Sequence, residues 1–365
     1  MNDNVLNCLS FHSVKGGVGK STLSWLAATE LARRHATLLV DMDLTGTSLA
    51  DVFPLCAPVL QAKNGKLDLQ HEPGGTFHNH NQSAEMIEHR AAEPDPVGRH
   101  VPFLNDDFLT EGDRFDASRD VDPRCIAWQV ETDDEAVRKN LRVIPSSALP
   151  NDLGRILPVI YDELYAGFLE ARLEWFLARL LQKSDFRHVV FDSPPTVPGL
   201  SSALLSLAMR LPQQIGLTGA GWGDTPNPLR EFSTVWTPVL VVTPDLQDLR
   251  ATERWLTGRD KAEIGRIIVA VNKARSNEPE DVAHTLRARL AKARNETFGL
   301  ELALNPEVFG YEGVILREDR VPSHLLAISE SNNLRLFETQ TTIFPPVIEG
   351  LRRLMQRVES LSNGG

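Results

Sequence analysis

Residues Ser13 to Thr22 read SVKGGVGKST, and the elements around this stretch decide the fold. The apolar segment Val5–Phe11 precedes it, and Leu23, Leu26, Ala27 and Leu31 follow at helical spacing, so the stretch joins a strand to a helix. That is the context a P-loop requires. Gly16, Gly17 and Gly19 have no side chains to keep the backbone from an anion. Successive N–H groups, that of Val18 among them, and the helix N-terminus can therefore point at bound phosphates. Lys20 is placed to neutralise the β- and γ-phosphates of a nucleotide. Ser21 offers the hydroxyl expected to bind Mg²⁺, and Thr22 the next hydroxyl, near the α-phosphate.

The ordinary G-x-x-x-x-G-K-[ST] pattern would have glycine at position 14; this chain has Val14, followed by a second lysine, Lys15. In this departure KGGVGKST resembles the deviant Walker A motif of the ParA/MinD family of dimeric ATPases. The resemblance implies ATP and Mg²⁺ as ligands, hydrolysis to ADP and phosphate, and a homodimer when ATP is bound. It also implies that Lys15 reaches across the dimer to the partner subunit's nucleotide.

Hydrolysis needs carboxylates at the ends of neighbouring strands, and the sequence supplies them. The second strand ends LLVDMDLTGTS, with Asp41 and Asp43 two residues apart and hence on one face of the strand or its extension. In the resembling family the second aspartate of such a pair orients the attacking water and the first lies near the metal. These roles carry over to Asp43 and Asp41, although Leu44 stands where most ParA proteins have proline. The segment HVVFDSPP ends a further strand at Asp192, matching the family's Walker B segment, and such a carboxylate can accept a hydrogen bond from Mg²⁺-bound water. Later segments, VTPDLQDLRAT and VNKAR, also resemble the family, and Asn272 sits where its members recognise adenine through a side-chain amide. An Asn-Lys pair at a strand end is equally plain turn chemistry.

Strand segments at Val5–Phe11, Thr37–Asp41, Leu141–Pro145, His188–Asp192, Val239–Thr243, Ile267–Asn272 and Gly313–Leu316 alternate with helical patterns at Thr22–Arg34, Tyr161–Gln182 and Ala251–Thr257. Unbroken apolar runs such as Val239–Val242 suit strands covered on both faces. The expected fold is α/β of the P-loop NTPase type: a mostly parallel central sheet flanked by helices, forming a single domain over residues 1–365. Two stretches interrupt the alternation. Residues 57–140 hold 17 Asp and Glu against 9 Lys and Arg, which accounts for most of the chain's net charge of −11, and read as an acidic, His-containing polar insertion. Residues 211–233 form a shorter, Gly-rich one.

His71, His78, His80, His89 and His100 in the longer insertion have no ordered ligand spacing, and they read as solvent-exposed loop histidines rather than a metal site. Cys8, Cys56 and Cys125 form no C-x-x-C pair, so the paired cysteines with which the related nitrogenase iron proteins and Mrp-type carriers hold clusters have no counterpart.

The 365-residue chain is 42% hydrophobic and 24% charged, an ordinary balance for a globular protein. It has no run of about 18 apolar residues and no signal-peptide pattern, so a cytoplasmic location is expected. The acidic balance argues against a surface basic throughout. Nonspecific DNA would need a local patch, and Arg287, Arg289, Lys292 and Arg294 fall on two sides of the Leu286/Leu290 stripe rather than on one. The C-terminal pattern Val347, Leu351, Leu354, Val358 and Leu361 reads as a last packed helix in preference to a membrane anchor. The expectation from these readings is a nucleotide-dependent switch that partitions or positions DNA or a cargo, stimulated by an activating protein partner. Its alternatives are a regulatory or assembly subunit whose insertion binds a partner protein, and a MinD-like membrane-associated ATPase.

Overall fold

The computed structural model describes residues 5–45, 48–63, 65–92, 101–108, 121–162, 165–195, 198–210, 233–243, 245–257, 267–272 and 310–311. In chain order the elements are β1 (Val5–His12), α1 (Lys20–Ala32), β2 (Thr37–Asp41), α2 (Leu49–Val52), β3 (Leu55–Cys56), β4 (Ala62–Lys63), β5 (Lys66–Leu67), α3 (His80–Ala92), α4 (Leu104–Phe108) and β6 (Trp128–Val130). Then follow α5 (Glu135–Asn140), β7 (Leu141–Ile144), α6 (Pro150–Tyr161), α7 (Ala166–Lys183), β8 (His188–Asp192), α8 (Pro198–Arg210), β9 (Ser233–Val242), α9 (Leu246–Thr257), β10 (Ile268–Val271) and β11 (Gly310–Tyr311). The sequence alternation is thus realised as a mostly parallel sheet with helices between its strands. The expected strand at Gly313–Leu316, the 211–232 part of the shorter insertion, and the patterns at 286–294 and 347–361 lie outside the described residues.

The chain divides into two compact units, Met1–Cys8 with Ala28–Trp236, and Leu9–Ala27 with Thr237–Gly365. In the first unit the strand order is β1-β8-β2-β7-β6-β3. β2 pairs in parallel with both β8 and β7, and the antiparallel pairs β7–β6 and β6–β3 complete that edge. Every residue of β2 and β8 is buried, which explains why both read as continuous apolar runs ending in aspartate. The core gathers Leu38, Val40, Val189 and Phe191 with Leu173, Leu177 and Leu204 of the helices. Phe191 stacks on Trp236 with ring centroids 5.1 Å apart. In the second unit the order is β11-β10-β9-β1, with β10 parallel to β9 and to β11.

Much of the 57–140 stretch is folded. Its short apolar pieces are core: Val101, Phe103, Leu104, Ile126 and Trp128 are all buried, and the Trp128 indole donates to the Pro102 carbonyl at 2.8 Å. Arg90 of α3 is fully buried between Asp106 of α4 and Asp152 of α6. Of the histidines read as solvent-exposed, His71 and His89 are exposed, His78 and His80 are half-buried against the folded part of the stretch, and His100 lies outside the described residues. The single helix expected over 161–182 is also redrawn: α6 ends at Tyr161 and α7 begins at Ala166. Among the described residues no helix is long and apolar enough to cross a membrane.

Candidate functional site: a phosphate loop and a carboxylate cluster

In the second unit β1 delivers the chain into the glycine loop. Gly17 and Gly19 have φ of 77° and 87°, a region that L side chains rarely adopt. Lys15, Gly16 and Gly17 are exposed, and a Cβ added at Gly16 or Gly17 would meet nothing within 4 Å. The loop therefore has one open face on which an anion can approach the backbone. Its other face is closed by Asn272, which follows β10. The Asn272 backbone N–H donates to the Val242 carbonyl at 2.7 Å, and its side-chain amide donates to the Val18 carbonyl at 2.6 Å. A Cβ at Gly19 would overlap that amide nitrogen. Asn272 is fully buried, and its side-chain oxygen has no hydrogen-bond partner among the described residues.

Lys20 opens α1 and is buried, whereas Lys15 is half-exposed, with its ammonium 3.9 Å from an oxygen of Asp245. Ser21 and Thr22 are half-buried in the first turn of the helix, and the Ser21 carbonyl accepts from the Ser24 hydroxyl at 2.9 Å. Asp245 caps α9 by accepting from the Gln247 and Asp248 backbone N–H groups at 2.7 and 3.2 Å, and these bonds, with a smaller contribution from Lys15, hold its carboxyl below the ordinary range. Behind it Asp248, buried, accepts from both the N–H and the hydroxyl of Thr243 at 2.6 and 2.9 Å.

In the first unit Asp41 and Asp192 end adjacent parallel strands in the same register, and both are buried. Asp41 Oδ2 accepts from the Leu49 N–H at 2.9 Å and from the N–H and hydroxyl of Ser146 at 3.3 and 2.8 Å. Asp41 Oδ1 accepts from the Asp43 N–H at 3.1 Å. Asp43 is half-buried and takes the Thr45 hydroxyl on its own carboxylate at 3.0 Å. Burial, reinforced by the charge of Asp192, pushes the Asp41 carboxyl up to about 7 against the opposing hydrogen bonds from Leu49 and Ser146. Two buried carboxylates side by side form a hard-oxygen donor set whose mutual repulsion a divalent cation would relieve, so these residues fit Mg²⁺. Among the described residues no group of three or more His, Cys, Asp or Glu is placed to hold a metal ion.

Residues 4–79 match the family model described as ParA: NUBPL iron-transfer P-loop NTPase. The matched segment contains the glycine loop and the strand-end aspartates Asp41 and Asp43. Its deviant lysine and paired glycines thus sit in the segment that carries the family signal. No curated protein matches the chain. The fold is similar to that of a ParA family ATPase from Chlorobium tepidum, at 12% identity and a TM-score of 0.48, with 95% of this chain and 96% of that one covered. It is similar also to pNOB8 ParA, at 16% identity and a TM-score of 0.49, covering 96% of this chain and 99% of that one. For the MinD cell division protein of Aquifex aeolicus the identity is 15% and the TM-score 0.45, with 96% and 97% covered.

The glycines, Lys15 and Lys20 were legible as a motif, and Asp41, Asp43 and Asp192 as strand ends. Sequence reasoning passed over Ser146, which donates twice to Asp41, and Asp245, which faces Lys15. For Ser146 the only signal was its place just past the end of a parallel strand, where sites of this class gather.

Proposed function

We propose that the chain is an ATP-binding and hydrolysing dimeric switch of the ParA/MinD kind, acting in the partitioning or positioning of DNA or a cargo. The observation that carries the reading is the division between the two lysines of one loop. Lys20 is buried at the base of α1, as a cis contact to bound phosphate needs, while Lys15 stands half-exposed on the open side, available to a second subunit. The α- to γ-phosphates of ATP would lie along Gly16–Thr22, and Asn272, which already braces the loop, has a side-chain oxygen left to accept from the adenine amino group. Asp43 would orient the attacking water, and Ser21, Asp41 and Asp192 would hold Mg²⁺, which neutralises phosphate charge and fixes the oxygens it binds. Phosphoryl transfer to water needs positioning and charge neutralisation rather than a covalent intermediate, and Lys15 of a partner subunit would add positive charge as the transition state forms.

ATP then acts as the bond between subunits and hydrolysis as its release. The reading is tested by sedimentation of Asp43→Ala with ATP and Mg²⁺. An ATP-dependent dimer is expected; a species that stays monomeric at saturating nucleotide would overturn the switch. DNA as the target predicts binding to the ATP-locked form that weakens steeply with salt, and salt-independent or absent binding moves the output to a protein or membrane partner.

A further inference from the structure

The carboxylate cluster is tied to the 57–140 insertion through two consecutive serines. After β7 the chain runs through Ser146 and Ser147, both buried, which face opposite ways. Ser146 turns toward the end of β2: its N–H and hydroxyl donate to Asp41, and its carbonyl accepts the Ser48 hydroxyl. Ser147 turns toward the insertion. Its N–H donates to Asn105 Oδ1 at 2.6 Å and its carbonyl accepts from Asn105 Nδ2 at 3.2 Å, so one side-chain amide holds both backbone polar groups of a single residue.

The Ser147 hydroxyl donates to Asp152. Asp152 in turn takes two hydrogen bonds from Arg90 at 3.0 and 3.1 Å, and Arg90 gives two more to Asp106, the residue after Asn105, at 2.9 and 3.0 Å. Asn105, Asp106, Asp152 and Arg90 are at most 1% exposed, so these geometries are held without competition from water.

An apolar side chain at position 105 would fill the same volume. A buried amide that pairs both backbone groups of Ser147 does something packing cannot, because it fixes the two peptide units on either side of that residue, one of them shared with Ser146. With Ser147 fixed, Ser146 is fixed, and Ser146 supplies two of the three hydrogen bonds on Asp41 Oδ2. The other oxygen of Asp41 holds the Asp43 N–H. We propose that Asn105, clamped by the Arg90 network, is a positioning residue for the Asp41–Asp43 carboxylates and acts through Ser147 and Ser146. The insertion is thereby part of the support of the site. The catalytic half of this statement rests on the ATPase reading; the positioning half does not.

The test compares Asn105→Ala with Trp128→Phe, which removes a buried hydrogen bond of the same insertion and none of the hydrogen bonds that link Arg90 to Asp41. In the nucleotide-free protein, hydrogen exchange at the Asp43 and Leu49 amides, both bonded to Asp41, should rise about 10-fold or more in Asn105→Ala over Trp128→Phe. In ATP hydrolysis Asn105→Ala should lower kcat by about 10- to 100-fold with KM for ATP within about twofold, as expected when a reacting group is misplaced rather than lost. Ser146→Ala should reproduce that split, and Ser146→Thr, which keeps the hydroxyl, should restore most of kcat.

Equal exchange in Asn105→Ala and Trp128→Phe, or equal loss of kcat in the two, would overturn the positioning role. If the wild-type protein hydrolyses no ATP while Asn105→Ala and Trp128→Phe still differ in exchange, the proposed activity is removed and the positioning of Asp41 and Asp43 stands.

Discussion

Gly19→Ala is the substitution for which the structure gives the most complete account. At φ +87° an alanine pays the left-handed penalty of about 1–2 kcal/mol. Its Cβ would also overlap the Asn272 amide, which is fully buried and cannot move away without releasing the Val18 carbonyl. Losing that buried hydrogen bond adds about 1–3 kcal/mol. The sum, about 2–5 kcal/mol, falls on the loop conformation that receives phosphate, so ATP affinity should drop by about 30-fold to a few thousandfold. Gly16→Ala is the control: its backbone is not left-handed and its Cβ meets nothing within 4 Å, so the empty loop keeps its conformation and the thermal midpoint stays at the wild-type value. The assay is titration with a fluorescent ATP analogue, alongside thermal unfolding. Asn272→Ala removes the overlap, so in the double variant the two costs should sum to less than their separate values. Gly19→Ala binding within threefold of wild type, or strict additivity with Asn272→Ala, would refute the reasoning.

Two further outcomes follow from buried charge. His188 of β8, buried and close to His35, has its ring pushed down to about 4 by burial and, less, by His35. Both folded and unfolded forms are neutral above about pH 6.5, and as pH falls toward 4 only the unfolded chain takes the proton, so about 3 kcal/mol of stability is lost across that window. Urea unfolding of His188→Phe should show a flatter pH profile between pH 7 and 4; an unchanged slope would assign the titration elsewhere. Arg90→Met strands Asp106 and Asp152 without their shared cation and should cost about 3–5 kcal/mol by urea unfolding. Adding Asp106→Asn and Asp152→Asn should recover at least half, and a cost under about 1 kcal/mol for Arg90→Met alone would contradict the buried network.

Strands covered on both faces announce themselves as apolar runs, and β2 and β8 begin and end at the residues the sequence indicates, Thr37 to Asp41 and His188 to Asp192. The glycine loop was legible for a different reason, since its chemistry leaves little choice of residue type. α6 was hidden because Pro150, Gly154 and Pro158 break the helical signal, although Pro150 stands in the first turn, where its missing N–H costs nothing. The folded part of the insertion was hidden because its centre is Arg90 with two aspartates. Charges that neutralise one another in the interior look, in sequence, like solvent-facing residues, and only the apolar pieces around Phe103 and Trp128 hinted at a core. Pairing between residues as distant as Asn105 and Ser147 has no local signature at all.

The central claim is that Lys15 of one subunit serves the nucleotide of the other, and mixing two inactive variants tests it most directly. Lys15→Gln keeps Asp43, and Asp43→Ala keeps Lys15, so a heterodimer assembles one complete site from the two. Random pairing of equal amounts should restore roughly a quarter of wild-type ATP turnover in the mixture, while each variant alone stays inactive. A mixture no more active than its separate components would contradict a lysine acting in trans.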